Sequence, residues 1–106
     1  MGKRYRVIVS KRASQMLVEC AAFLAQVSVP AAERLIDDFE ITVGSLESFP
    51  LRCSVFSAEY IPKNSYRYII FGKRYCALFQ IKDDTVFVDY VLDCRADYSW
   101  LFAGKI

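Results

Sequence analysis

Arg67, Lys73 and Arg74 alternate with Tyr66, Tyr68 and Tyr75, and Arg95 and Tyr98 follow further along the chain. Guanidinium groups bind phosphate oxygens bidentately and tyrosine rings stack on bases, so this mixture suits single-stranded nucleic acid. It suits an edge strand equally well, where Lys and Arg oppose aggregation. Arg52 stands apart, with Glu59 available in the same stretch as an ion partner. The chain has no histidine, which excludes a histidine-based triad, a histidine metal site and a histidine general base. No phosphate-binding loop, dinucleotide glycine pattern, paired-carboxylate motif or metal box is present.

Cys20, Cys53, Cys76 and Cys94 contain no Cys-x-x-Cys pair. Zinc frameworks supply ligands in close pairs, so no metal and no cofactor is expected. The four read as reduced, mostly buried small hydrophobes, because a nucleophilic cysteine usually needs a histidine or another thiolate stabiliser.

The net charge of +2 conceals segregation. Lys3, Arg4, Arg6, Lys11 and Arg12 all precede the first acid, Glu19, and six cations between Leu51 and Lys82 face only Glu59. Acids gather at Asp37, Asp38 and Glu40, and again at Asp83, Asp84, Asp89, Asp93 and Asp97. Such a distribution can attract a polyanion to one side of a nearly neutral molecule. One Trp, seven Tyr and eight Phe are many for a small isolated domain. They predict either a well-filled core or an apolar groove left for a partner.

These residues need elements to position them. The 106 residues fit one domain, 1–106, long enough for a core without staples. No apolar run approaches the roughly 18 residues of a membrane span, and no secretory signal is visible behind Met1, so a cytoplasmic protein is expected. Tyr5–Val9 reads as a strand, and Ser10 caps a helix over 11–26 whose stripe is Ala13, Leu17, Cys20, Leu24 and Val27, widened by Met16, Ala21 and Phe23. Pro30 opens a second helix over 30–48, with Ala32, Leu35, Ile36, Phe39, Val43 and Leu46 on one face. The short link between them forces an antiparallel helical hairpin. An irregular connection over 51–65 leads to strands 66–71, 75–82 and 85–92, joined by tight turns as successive hairpins. A short helix over 95–103 closes the chain. The order β-α-α-β-β-β-α is an α+β fold, a helical hairpin packed on an antiparallel sheet.

The run Ser45-Leu-Glu-Ser-Phe-Pro-Leu-Arg-Cys53, then Ser65-Tyr-Arg67, Tyr75, Phe79-Gln-Ile-Lys-Asp-Asp and Asp93-Cys-Arg-Ala-Asp-Tyr98 with Leu101, resembles the RelE/ParE superfamily of bacterial toxins. With Tyr5–Ser10 before the first helix, the resemblance covers nearly the whole chain. It implies the toxin of a type II toxin–antitoxin module, of the addiction or plasmid-stabilisation kind, that arrests bacterial growth. It also implies a cognate antitoxin whose helical segment lies in an apolar groove, and a toxin–antitoxin hetero-oligomer. RelE-like members cut messenger RNA on the ribosome; under that reading Arg67, Arg95 and Tyr98 are catalytic. ParE-like members poison DNA gyrase, and Arg95-Ala-Asp97 resembles the Arg-x-Asp ending of many of them. In the ribonucleases a Tyr-Arg pair follows the hairpin turn, whereas Tyr75-Cys76 stands here, which favours gyrase. Arg52, Lys73, Arg74 and Tyr75 are then the expected contacts with nucleic acid or target. A degenerate toxin that only binds its antitoxin is the third reading.

Overall fold

The computed structural model describes residues 3–57 and 65–94. The expected closing helix over 95–103, with Arg95 and Tyr98, lies outside the described residues, as does Glu59.

Strand β1 (Arg6–Val9) leads into helix α1 (Lys11–Ala25), and helix α2 (Val29–Gly44) follows after a short link. Both helices start on serine caps: the Ala13 N–H donates to Ser10 Oγ at 3.0 Å and the Ala31 N–H to Ser28 Oγ at 3.2 Å. Each satisfies one N–H that the first helical turn leaves open. Pro30 sits in the first turn of α2, where its missing N–H costs nothing. Helix α2 ends at Gly44, short of the expected 48, and 3₁₀ turns over Ser45–Glu47 and Pro50–Arg52 continue the chain.

Strands β2 (Arg67–Phe71), β3 (Tyr75–Lys82) and β4 (Thr85–Asp93) form two antiparallel hairpins. The sheet order is β1-β4-β3-β2, and β1 joins β4 in parallel. The sheet is therefore mixed rather than antiparallel throughout. The physical reason is the crossover: the helical hairpin and the chain after it carry β1 to its distant neighbour, which a tight turn cannot do.

The helices cover one face. Leu17, Ala21, Leu35, Phe39, Val43 and Leu46 pack against Phe71, Tyr75, Ala77, Phe79, Val86, Val88 and Val91. Phe23 and Val27, assigned to the apolar stripe by spacing, are instead exposed. A register shift at Leu78/Phe79 makes Asp89 the extra residue of a bulge, since Leu78 faces Tyr90 and Phe79 faces Val88. The bulge reverses the alternation of β4: Val86 and Val88 point to the helices, but so does Val91. Tyr90 and Leu92 go to the opposite face, where they are buried with Cys76 and Leu78 beside Phe56, Tyr66 and Tyr68.

The connection after α2 crosses the open end of the sheet from one edge to the other. Ser48 bridges Arg4, and Val55 bridges Arg67. The Phe56 N–H donates to the Tyr66 carbonyl at 2.7 Å and the Tyr68 N–H to the Ser54 carbonyl at 3.1 Å, covering the outer edge of β2.

Candidate functional site

The β2–β3 turn is built from Gly72, Lys73 and Arg74. Gly72 has φ +57° and Lys73 φ +73°, two successive left-handed residues. A Cβ on Gly72 would meet Leu35 Cδ1 at 2.7 Å, so glycine lets the turn rest directly on α2. That contact brings Lys73, Arg74 and Tyr75 beside Arg34 and Asp38 of α2 and Leu24 of α1, around an open groove of about 300 Å³. The Arg74 guanidinium lies 5.6 Å from the centre of the Tyr75 ring. Hydrogen bonding to Tyr75 raises the Arg74 pKa further, with help from the charge of Asp93. Arg34 and Lys73 form no ion pair among the described residues. The floor is Leu24, Ala31 and Leu35, and the rim carries three cations against one carboxylate. Such a groove can take an anion by point charge and by planar guanidinium.

Of the residues expected from sequence, Lys73, Arg74 and Tyr75 are brought together here. Arg67 and Arg52 are not. Arg67 pairs with Phe79 at the opposite end of the hairpin, four residues and roughly 13 Å of strand from the turn. Its guanidinium donates to the Cys53 carbonyl, tying the crossing segment to β2. Arg52 donates to the Ser48 and Phe49 carbonyls and to Ser45 Oγ, closing the 3₁₀ segment on itself. Both arginines flank Cys53, whose thiol burial pushes up against their opposing charges. Arg67 also lines a second cleft, of about 410 Å³, with Leu51, Tyr66, Gln80 and Lys82. Cys76, at the usual arginine position of the ribonuclease branch, is buried in the sheet at 3% exposure.

Two features escaped the sequence reading. Arg34 belongs to the groove, but its place one turn before Asp38 looks like ordinary solvated helix surface. At the bulge, Tyr66 Oη donates to Asp89 Oδ2 at 3.1 Å, Ser10 Oγ donates to the Asp89 carbonyl at 3.3 Å, and Arg12 stacks on Tyr90 at 4.7 Å. This cluster fastens the start of α1 to β4. Desolvation and the neighbouring Asp89 charge raise the Tyr66 phenol well above its ordinary value. Among the described residues no group of His, Cys, Asp or Glu side chains could hold a metal, and no helix is long and apolar enough to cross a membrane. All four cysteines are free thiols; Cys76 is buried, Cys20 and Cys53 are half-buried and Cys94 is exposed.

Fold and site define a class: a small α+β protein with a helical hairpin on a mixed four-stranded sheet and a cationic groove where the sheet's turn meets the helices. The family described as "ParE toxin of type II toxin-antitoxin system, parDE" matches residues 7–98. The chain belongs to this ParE toxin family. Among solved structures, a chain of the chromosomal ParDE toxin–antitoxin system from P. aeruginosa has the same fold at a TM-score of 0.71 and 14% identity, covering 86% of this chain and 97% of that one. No curated protein sequence matches significantly.

Proposed function

We propose that this chain is the growth-arresting toxin of a type II pair, that an antitoxin restrains it in the bacterial cytoplasm, and that its target is DNA gyrase. One observation supports the choice of target: of the two strand positions a ribonuclease would use, Cys76 holds a buried thiol in place of an arginine, and Arg67 is an arginine already tied to the Cys53 backbone carbonyl. Attack of a 2′-hydroxyl on phosphate needs a base, a proton donor and cations held around one point. Binding and arresting a DNA-bound enzyme needs only a docking surface. The groove of Arg34, Lys73, Arg74 and Tyr75 supplies one, suited to the phosphates of gyrase-bound DNA. For the antitoxin, the helical hairpin leaves Val18, Phe23, Val27, Val29 and Ile41 exposed, apolar side chains that an amphipathic partner helix could cover in part.

The test is a plasmid cleavage assay with purified gyrase, ATP and toxin, beside primer extension on a defined message in reconstituted translation. Gyrase-dependent linear plasmid with intact message is the expected outcome. Charge reversal at Arg34, Lys73 and Arg74 together should reduce cleavage at least ten-fold without loss of folding. Ribosome-dependent message ends with intact plasmid would replace the gyrase reading by the endonuclease one. Expression without growth arrest would leave a protein that only binds its antitoxin.

A further inference from the structure

Cys76 and Cys94 meet at the end of the β3–β4 ladder. Tyr75 pairs with Asp93 and Cys76 with Leu92. The Cys94 N–H donates to the Arg74 carbonyl at 2.7 Å, so the ladder continues one position beyond β4. Side chains alternate along a strand, which places Leu92 and Cys94 on the same face as Cys76 and makes the two cysteines a diagonal pair. The two side chains lie close enough for Cys94 to help raise the Cys76 thiol. Cys20 and Cys53 pack on the other, helix-covered face. The pair is asymmetric: Cys94 is exposed and Cys76 is buried. The cationic groove uses neither.

We propose that Cys76 and Cys94 form a peroxide-responsive dithiol that closes to an intramolecular disulfide. Cys94 meets the hydroperoxide first. Its sulfur attacks one peroxide oxygen, the O–O bond breaks as the S–O bond forms, and the departing hydroxide takes up a proton as water. The Cys76 sulfur then attacks Cys94 Sγ, the S–O bond breaks, and the hydroxyl leaves with the Cys76 thiol proton as a second water. Two thiols lose two electrons and one hydroperoxide gains them. Burial, reinforced by Cys94 and Asp93, pushes the Cys76 thiol up to about 12. The second step is therefore slow at neutral pH and quickens in alkali, because the thiolate is the nucleophile.

Diagonal neighbours across a ladder have Cα atoms roughly 7 Å apart, at the upper edge of what a disulfide spans. Closure thus draws Cys94 toward β3. Cys94 lies past the last residue of β4, so this shift spares the strand pairs up to Asp93 and falls on the Cys94–Arg74 backbone hydrogen bond beyond them.

The full-length chain is treated with hydrogen peroxide, quenched, denatured and alkylated with N-ethylmaleimide for intact-mass and peptide mapping. The expected product has lost two hydrogens and two alkylatable thiols, yields a cross-linked Cys76–Cys94 peptide, and reverts with dithiothreitol. Cys94→Ser, a change at an exposed position, should slow thiol loss at least ten-fold. In Cys76→Ala, dimedone should trap Cys94 as its sulfenic acid. The proposal is overturned by Cys94 passing to sulfinic acid while Cys76 stays alkylatable. A disulfide from Cys94 to Cys20, Cys53 or a second chain overturns it as well, as does a chain that peroxide leaves unchanged.

Discussion

Gly72 shows how one residue can set a site. Its positive φ and the 2.7 Å approach of Leu35 Cδ1 to any added Cβ are independent objections to a side chain. Leu35 is a core residue at 3% exposure and has little room to yield. Gly72→Ala is expected to cost about 1–3 kcal/mol from overpacking and left-handed strain together, read as a lower urea midpoint at unchanged m. Tyr66 makes a different prediction. Its phenol, ordinarily near 10, is raised in the folded state by desolvation and by Asp89. The folded chain then holds that proton more tightly than the unfolded one, so the contribution is complete below pH 10 and is lost as pH rises through the folded value. Stability should fall in alkali, and Tyr66→Phe should flatten that fall while costing about 0.5–1.5 kcal/mol at neutral pH. Denaturation midpoints across alkaline pH check both. At this scale the sequence was informative about residue types but not about their partners. Lys73, Arg74 and Tyr75 are contiguous and had to share a turn; Arg34 reaches them only because α2 packs there.

Arg67 belongs to the scale of elements. A charge within an otherwise apolar strand attracts a catalytic reading, but its guanidinium bonds the Cys53 carbonyl and holds the crossing segment against β2. Arg67→Ala is expected to lower stability by about 1 kcal/mol, the worth of a partly exposed charged hydrogen bond. Hydrogen exchange should accelerate at the Phe56 and Tyr68 amides, which bond across that edge. Growth arrest should decline only as far as stability does. A toxin that stays folded yet loses all activity would return Arg67 to the reacting site. The elements themselves were largely readable: the Ser10 cap, Pro30 and apolar spacing place both helices, and turn residues place three strands. The end of α2 was not, because Pro50 marks where a helix cannot continue, while the 3₁₀ turns begin earlier, after Gly44.

For the molecule as a whole, β4 is the central member. It holds β1 on one side and β3 on the other, and its bulge at Asp89 meets the start of α1 through Ser10. One sheet therefore presents a helix-covered face and a second face where Tyr90, Leu92, Leu78 and Cys76 are buried. The grooves fall at its two ends, the cationic one where the β2–β3 turn meets α2 and the second where the crossing segment closes the open end. By itself, the sequence determined the number and order of the described elements, the α+β class, the absence of histidine chemistry and the family. The elements and class follow from periodicity, caps, turns and composition, and the family from the resemblance of short runs of residues, all local along the chain. Tertiary structure alone decided that β1 joins in parallel, that Arg34 completes a groove with Lys73 and Arg74, that Arg67 is a tie, and that Cys76 meets Cys94. The first two depend on how the helical hairpin crosses and packs on the sheet, and the last two on register across strands, where one inserted residue moves every later side chain to the opposite face, and an alternating run such as Val86, Val88, Tyr90 and Leu92 carries no sign of where that residue lies.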